Sequence, residues 1–297
     1  MFTEAYKNCK LCARCCGIDR TMGTGFCRMT SDITLSRAAL HHWEEPPISG
    51  THGSGTIFFT GCSLGCVFCQ NSHISSGRNG KRVTPHRLAE IMLELQEQRA
   101  HNINLVTPTH FAPSIKEAIT EARSLGLALP IVYNTGSYDT PETIDSLCGF
   151  VDVYLPDLKY YLPKTAKNYS HAEDYPEVAR AAIDRMVDQV GEPAFDGEGI
   201  MTRGVIVRQL LLPAHVAEAK LSLKYLHDRY GDSIYVSLMN QYTPMPGMAH
   251  PLDRAVTREE YESLLDYAEK IGLKNGFTQE FGTAKESFIP DFDFTGV

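Results

Sequence analysis

Three cysteines fall within eight residues in Gly61-Cys62-Ser63-Leu64-Gly65-Cys66-Val67-Phe68-Cys69, at the spacing Cys-x3-Cys-x2-Cys. Thiolates ligate iron–sulfur clusters, and a short loop can aim several sulfurs at one cluster. Three is the informative count: a closed four-iron site takes four protein thiolates, so three leave one iron open to another ligand. The alternative is three buried structural cysteines beside a strand. A tight cysteine cluster in a reduced chain is more often metal-binding than packing. Cys62, Cys66 and Cys69 are therefore the candidate cluster ligands.

A second group precedes them. Cys9-Lys10-Leu11-Cys12-Ala13-Arg14-Cys15-Cys16 is followed by Gly17, Gly23, Gly25 and Cys27. Cys9, Cys12, Cys16 and Cys27 can supply four thiolates. Small zinc sites use such knuckles, with glycines letting the backbone fold round the metal. Spacing alone equally permits a second iron–sulfur cluster, or reduced cysteines with no metal. Cys15 is one thiol too many and can stand in for Cys16. The chain has nine cysteines, eight of them before residue 70, which is not how a disulfide scaffold distributes them. The expectation is a cytoplasmic protein whose thiols are kept for metal.

The bulk properties frame these sites. The formal net charge is −8 with no long basic run, which argues against phosphate-driven nucleic-acid binding. No apolar stretch is long enough to span a bilayer, and the first residues lack the apolar core of a signal peptide. Residues 1–55 read as a cysteine-rich N-terminal segment, 56–281 as an α/β unit and 282–297 as a C-terminal tail. In the first of these, His41-His42-Trp43-Glu44-Glu45-Pro46-Pro47 reads as a solvated loop, with the mouth of the site as the other placement.

From residue 56 strand-like and helix-like stretches alternate. Strands are expected at 56–60, 102–106, 129–133, 151–155, 204–212 and 233–239, with a short last one at 276–281. Helices are expected after Thr84-Pro85, after Pro113, after Thr140-Pro141, over 176–190, over 216–229 and from Thr257, where Glu260 completes a capping box. Six strand–helix units imply a parallel sheet with helices outside it. They are fewer than a closed barrel needs, so an incomplete barrel and a doubly wound sheet both fit the periodicity. In either, reactive residues belong at the carboxyl ends of the strands.

The cysteine loop follows the first strand. Thr107-Pro108-Thr109-His110 follows the second, Asn134-Thr135-Gly136 the third, and Asp157-Leu158-Lys159 the fourth, while Arg208 lies on the fifth. This inventory suits a polar cofactor bearing a carboxylate, an amine and a ribose. Arg208 or Lys159 can pair with a carboxylate, and Asp157 can hold an amine, a hydroxyl or a cation. The plainer account is that Asp157 and Lys159 neutralise each other.

The N-terminal cysteine loop, Glu45-Pro46-Pro47-Ile48-Ser49-Gly50, Gly55-Thr56-Ile57-Phe58-Phe59, the cysteine triad, Asn104-Leu105-Val106-Thr107-Pro108-Thr109-His110, Asp157-Leu158-Lys159 and Gln241-Tyr242-Thr243-Pro244 together resemble the radical S-adenosylmethionine (SAM) superfamily, in its pyruvate formate-lyase activating enzyme-related subgroup. The resemblance implies a partial (β/α)6 barrel with a cysteine-rich N-terminal extension. It implies a [4Fe–4S] cluster on Cys62, Cys66 and Cys69, with SAM on the fourth iron and the Phe68 backbone near adenine. Asn134, Thr135, the Leu155 carbonyl and Asp157 are the implied neighbours of a monovalent cation. Most members carry Gly-Gly-Glu after the second strand for the SAM amine. Here Thr107 or Thr109 is expected in that role. Flavodoxin or ferredoxin is the implied reductant. The substrate is a glycine Cα on a partner protein, another peptide or a small molecule. A non-catalytic electron carrier is the reading of another class.

Overall fold

The protein is described from a computed structural model, covering residues 2–281 and 290–297. The cysteine-rich segment leads into β1 (Thr34–His41), a one-turn α1 (Pro46–Ser49) and β2 (Ser54–Phe59). After the cysteine loop come α2 (Ser72–Ser75), β3 (Lys81–Arg82) and α3 (Pro85–Glu97). Alternation then continues through β4 (Ile103–Val106), α4 (Ala112–Ser124), β5 (Ile131–Thr135), α5 (Pro141–Asp145) and β6 (Val153–Pro156). Next are two helices, α6 (Pro163–Ser170) and α7 (Tyr175–Val190), then β7 (Ala194–Phe195) and β8 (Met201–Leu210). The chain ends through α8 (Val216–Tyr230), β9 (Tyr235–Met239), α9 (Arg258–Lys270) and β10 (Gly276–Thr278).

The sheet order is β10-β9-β8-β6-β5-β4-β2-β1-β3. From β2 to β10 every neighbour pair on this path is parallel and the order runs with the sequence without reversal. Right-handed crossovers in one direction put all the helices on one face. The sheet curls away from them, but its end strands β3 and β10 do not pair, so the barrel is partial. This order removes the doubly wound alternative, which needs a reversal.

Period-two alternation then divides the residues. Leu105, Ile131, Tyr133, Tyr154, Val205 and Val207 pack outward under the helices. Val132, Val153, Leu155 and Ile206 pack inward with Ile48 and Met201. The helices start where their caps place them: Thr84 Oγ1 accepts from Arg87 N, and both bonds of the Thr257–Glu260 capping box are formed.

The sequence did not announce β1, which runs antiparallel to β2 and carries the cysteine-rich segment into the main sheet. The expected 282–297 tail lies partly outside the described residues, at 282–289. Residues 290–297 return along β1. Ala38 N donates to Thr295 O and Phe294 N to Ser36 O, and the Phe292 ring stands 5.4 Å from that of Phe58. Among the described residues no helix is long and apolar enough to cross a membrane.

Candidate active site

The cysteine loop turns sharply as it leaves β2. Gly61 has φ +87°, and a Cβ there would run into Met29 Cγ and lie 2.7 Å from Cys27 O, so only glycine lets the N-terminal segment press against the loop. Three tethers fix the loop beyond this glycine. Val67 N donates to Tyr169 O, and Gln70 Nε2 donates to Gln241 O at 2.8 Å. Arg14 is the third. Its guanidinium donates to Ser63 O (2.9 Å) and Leu64 O (3.2 Å) in the loop, and to Ser170 O (2.8 Å) and His171 O (2.6 Å) at the end of α6. The Phe68 ring is buried among Tyr160, Tyr169 and Tyr242.

Cys62, Cys66 and Cys69 line one cavity of about 240 Å³. Phe68, Thr107, Asn134, Thr135, Asp157, Lys159 and Arg208 line it too. Burial pushes the Cys62 thiol up to about 12, with Cys66 and Cys69 adding to the effect. A metal that takes the Cys62 sulfur would favour its ionised form. Ser170 Oγ donates to Cys66 Sγ at 3.0 Å and is itself 2.6 Å from Tyr160 OH. Among the described residues no fourth cysteine lines this cavity. Three thiols with one position left over fit a four-iron cluster with an open iron.

Opposite the thiols, inward positions of neighbouring strands converge. Arg208 is the hub. Its Nε donates to Asp157 Oδ1 at 2.9 Å, one Nη to Asn134 Oδ1 at 2.6 Å and the other to Glu44 Oε2 at 3.3 Å. Lys159 Nζ donates to the second Asp157 oxygen at 2.6 Å. Asn104 Nδ2 donates to Glu44 Oε1 at 3.0 Å. Burial opposes ionisation of Asp157, but Arg208 and Lys159 outweigh it and hold its carboxyl below the usual range. Burial raises the Glu44 and Glu45 carboxyls, with Arg208 pulling the other way.

Several expectations change here. Glu44 and Glu45 are not in a solvated loop. They lie between β1 and β2, where Glu44 accepts from Arg208 and Asn104 and Glu45 Oε2 is buried with no partner. Asp157 and Lys159 do pair, as the plainer account has it, but Arg208 joins them to make a charged wall. The same guanidinium bridges Asn134 and Asp157, two of the residues expected beside a monovalent cation. Thr107 reaches the cavity in a left-handed conformation, φ +60°. Thr109 does not reach it. Its hydroxyl is buried 3.4 Å from that of Thr135, which donates to Asp139 Oδ2 behind the cavity wall. His110 is also behind the wall, with Nε2 on Thr60 O at 2.8 Å.

The N-terminal cysteines do not line this cavity. Cys9, Cys12 and Cys27 are buried and Cys16 is half-buried. Burial disfavours the Cys16 thiolate, but the N–H groups of Phe26 and Ile18 and the charge of Arg20 overcome this and lower its pKa. Cys15 is exposed and its thiol turns to Cys12 O.

Residues 56–195 match the family model of the Radical SAM superfamily. That stretch is a radical SAM domain. Membership implies a [4Fe–4S] cluster, SAM and the cleavage of SAM, and the three thiols on one cavity fit that set. The radical SAM chain is 30% identical over 279 residues to the uncharacterized protein MJ0674 of Methanocaldococcus jannaschii, covering 90% of this chain and 76% of that one. Solved structures of similar fold include a radical SAM methyltransferase from Sphaerobacter thermophilus, with a TM-score of 0.54 at 17% identity, over 76% of this chain and 66% of the other. The FeFe-hydrogenase maturase HydG from Carboxydothermus hydrogenoformans gives 0.53 at 13%, over 79% of this chain and 55% of its own. Streptococcus suis SuiB bound to S-adenosylmethionine gives 0.51 at 11%, over 74% of this chain and 48% of its own. The chain thus spans between about half and two thirds of these structures, and what they share with it is the fold.

Sequence reasoning passed over Arg14 and Ser170, and preferred a solvated loop to the mouth of the site for Glu44 and Glu45. Arg14 and Glu44 had a signal, each being a charged residue set among cysteines or prolines. Ser170 had none, because its contact with Cys66 spans a hundred residues of chain.

Proposed function

We propose that Cys62, Cys66 and Cys69 hold the cluster with one iron open, and that SAM lies between it and the Asp157–Lys159–Arg208 wall. The observation carrying this reading is that the three thiols and the three charged side chains line one cavity. With both groups bound, the cluster supplies one electron to the sulfonium, and S–C5′ cleavage yields methionine and the radical that takes a hydrogen atom from substrate. The chain's own residues bind, orient and exclude water. Lys159 directs its charge toward Cys66 and Cys69 and offers an ammonium to the SAM carboxylate. Asn134 and Thr107 present polar atoms to its amine, and the Phe68 backbone faces adenine. Glu44 is held by Arg208 and Asn104.

The hydrogen donor is a glycine Cα in a peptide loop of a partner protein, as in the activating enzymes. What supports this is a sheet whose end strands do not pair, which leaves the barrel open along one side. A small-molecule donor is the second reading, favoured by the charged wall. Flavodoxin or ferredoxin would reduce the cluster from the side of Val67, which is 40% exposed next to Cys66. Deuterium transferred into 5′-deoxyadenosine from a glycine-deuterated protein fraction supports the activase form. Transfer only from small molecules supports the second.

A further inference from the structure

One buried charge has no counter-charge in the fold. Arg20 is fully buried. Its guanidinium donates to Met29 O (3.0 Å), Thr30 O (2.6 Å) and His110 O (2.5 Å), and approaches Cys9 Sγ at 3.7 Å. The carbonyls are neutral, and among the described residues no carboxylate lies within 4.0 Å of Arg20. A buried guanidinium without an anion is costly, and neutral thiols do not offset it.

The thiols around Arg20 are arranged to supply that anion. Cys9 touches the guanidinium directly. A Cβ on Gly25 would lie 3.5 Å from both Cys16 Sγ and Cys27 Sγ and 3.3 Å from Arg20 Cδ, so glycine leaves open the space these groups share. Cys12 is buried in the same segment, three residues on from Cys9. Cys9 and Cys12 come from one turn, Cys16 and Cys27 from the ends of a glycine-rich loop, which is how knuckle sites present four sulfurs.

We propose that Cys9, Cys12, Cys16 and Cys27 form a tetrathiolate metal centre whose net negative charge is the counter-ion of Arg20. A Zn²⁺ ion and a [4Fe–4S]²⁺ core share this chemistry, since either under four thiolates leaves two negative charges. The centre stands directly behind the cluster loop. Cys27 O and Met29 abut Gly61, and Arg14, two residues past Cys12, clamps Ser63 and Leu64. Zinc there is a staple for the loop, and a cluster there is an electron relay into it.

The test removes the first site and counts what is left. In a Cys62→Ala/Cys66→Ala/Cys69→Ala chain purified without oxygen, about one zinc, or about four iron with matching sulfide, is expected per chain. Zinc identifies the staple, and iron with sulfide the relay. Adding Cys16→Ser or Cys27→Ser should remove this metal, whereas Cys15→Ser should leave it in place. A second measurement needs no variant: titrating the wild-type thiols with a mercurial should release zinc stoichiometrically, or bleach a second cluster. Either metal-free triad-null protein with intact circular dichroism, or metal retained after loss of both Cys16 and Cys27, overturns the proposal. The count is made without the active-site cluster, so it is independent of the SAM reading.

Discussion

Ser170 Oγ donates a hydrogen bond to Cys66 Sγ across 3.0 Å. The serine is fully buried, and Tyr160 OH orients it from the other side. Hydrogen bonds to cluster sulfurs raise the reduction potential by stabilising the more negative, reduced state. Ser170→Ala should therefore lower the potential of the cluster proposed on Cys62, Cys66 and Cys69. A difference of ~1 kcal/mol between the redox states corresponds to roughly 40 mV for one electron. An EPR-monitored redox titration measures this, and an unchanged potential removes the assigned role.

Arg208 is a buried cation shared by Asp157, Glu44 and Asn134. Arg208→Met leaves two carboxylates facing each other in the lumen. Breaking a buried pair from one side costs about 3–5 kcal/mol, so a marked fall in Tm is expected together with loss of SAM binding. Glu44→Gln keeps one acceptor for Arg208 or Asn104 and loses the other, but it removes no buried cation and should be milder in Tm. Equal losses in the two variants would contradict the hub role of Arg208.

Arg14 joins two carbonyls of the cysteine loop to two at the end of α6. Truncation to Met removes four charge-assisted bonds, part of them solvent-exposed, and should cost about 2–3 kcal/mol. Iron content should fall before the fold is lost, because the loop rather than the sheet depends on this residue. Iron per chain and far-ultraviolet circular dichroism together read this.

His110 gives a pH signature. Its Nε2 meets a carbonyl and so carries the proton, Nδ1 is buried without a partner, and burial aided by Arg20 lowers its pKa to about 3. Between that value and the unfolded value of about 6.5 the unfolded chain binds a proton that the folded chain refuses. Stability is therefore lost as pH falls through that window, by up to about 1.4 kcal/mol per pH unit from this residue. His110→Gln, which can still donate to Thr60 O, should flatten the slope of urea-unfolding free energy between pH 7 and 5. The same slope in the variant would show that His110 is not its source.

The parts of this protein that were legible in the sequence are those written in local pattern. The triad spacing, the Thr84 and Thr257 caps and the six strand–helix units depend on neighbours within a turn or two. Arg208 and Asp157 were legible as residues at strand ends, but not their mutual bond, which depends on which strands adjoin. Glu44 and Glu45 were misread because charged residues next to prolines are normally solvated, and only a lumen holding Arg208 reverses that. Strand β1 was hidden because its inward and outward residues are both largely apolar or small, with no turn signal to set it apart.

The most direct test is anaerobic reduction of the protein with SAM, followed by quantitation of 5′-deoxyadenosine and methionine. The wild type should form both in equal amounts, and the Cys62→Ala/Cys66→Ala/Cys69→Ala variant neither. Product formation unaffected by the three substitutions, or none from wild-type protein with its cluster intact, would contradict the assignment of this cavity.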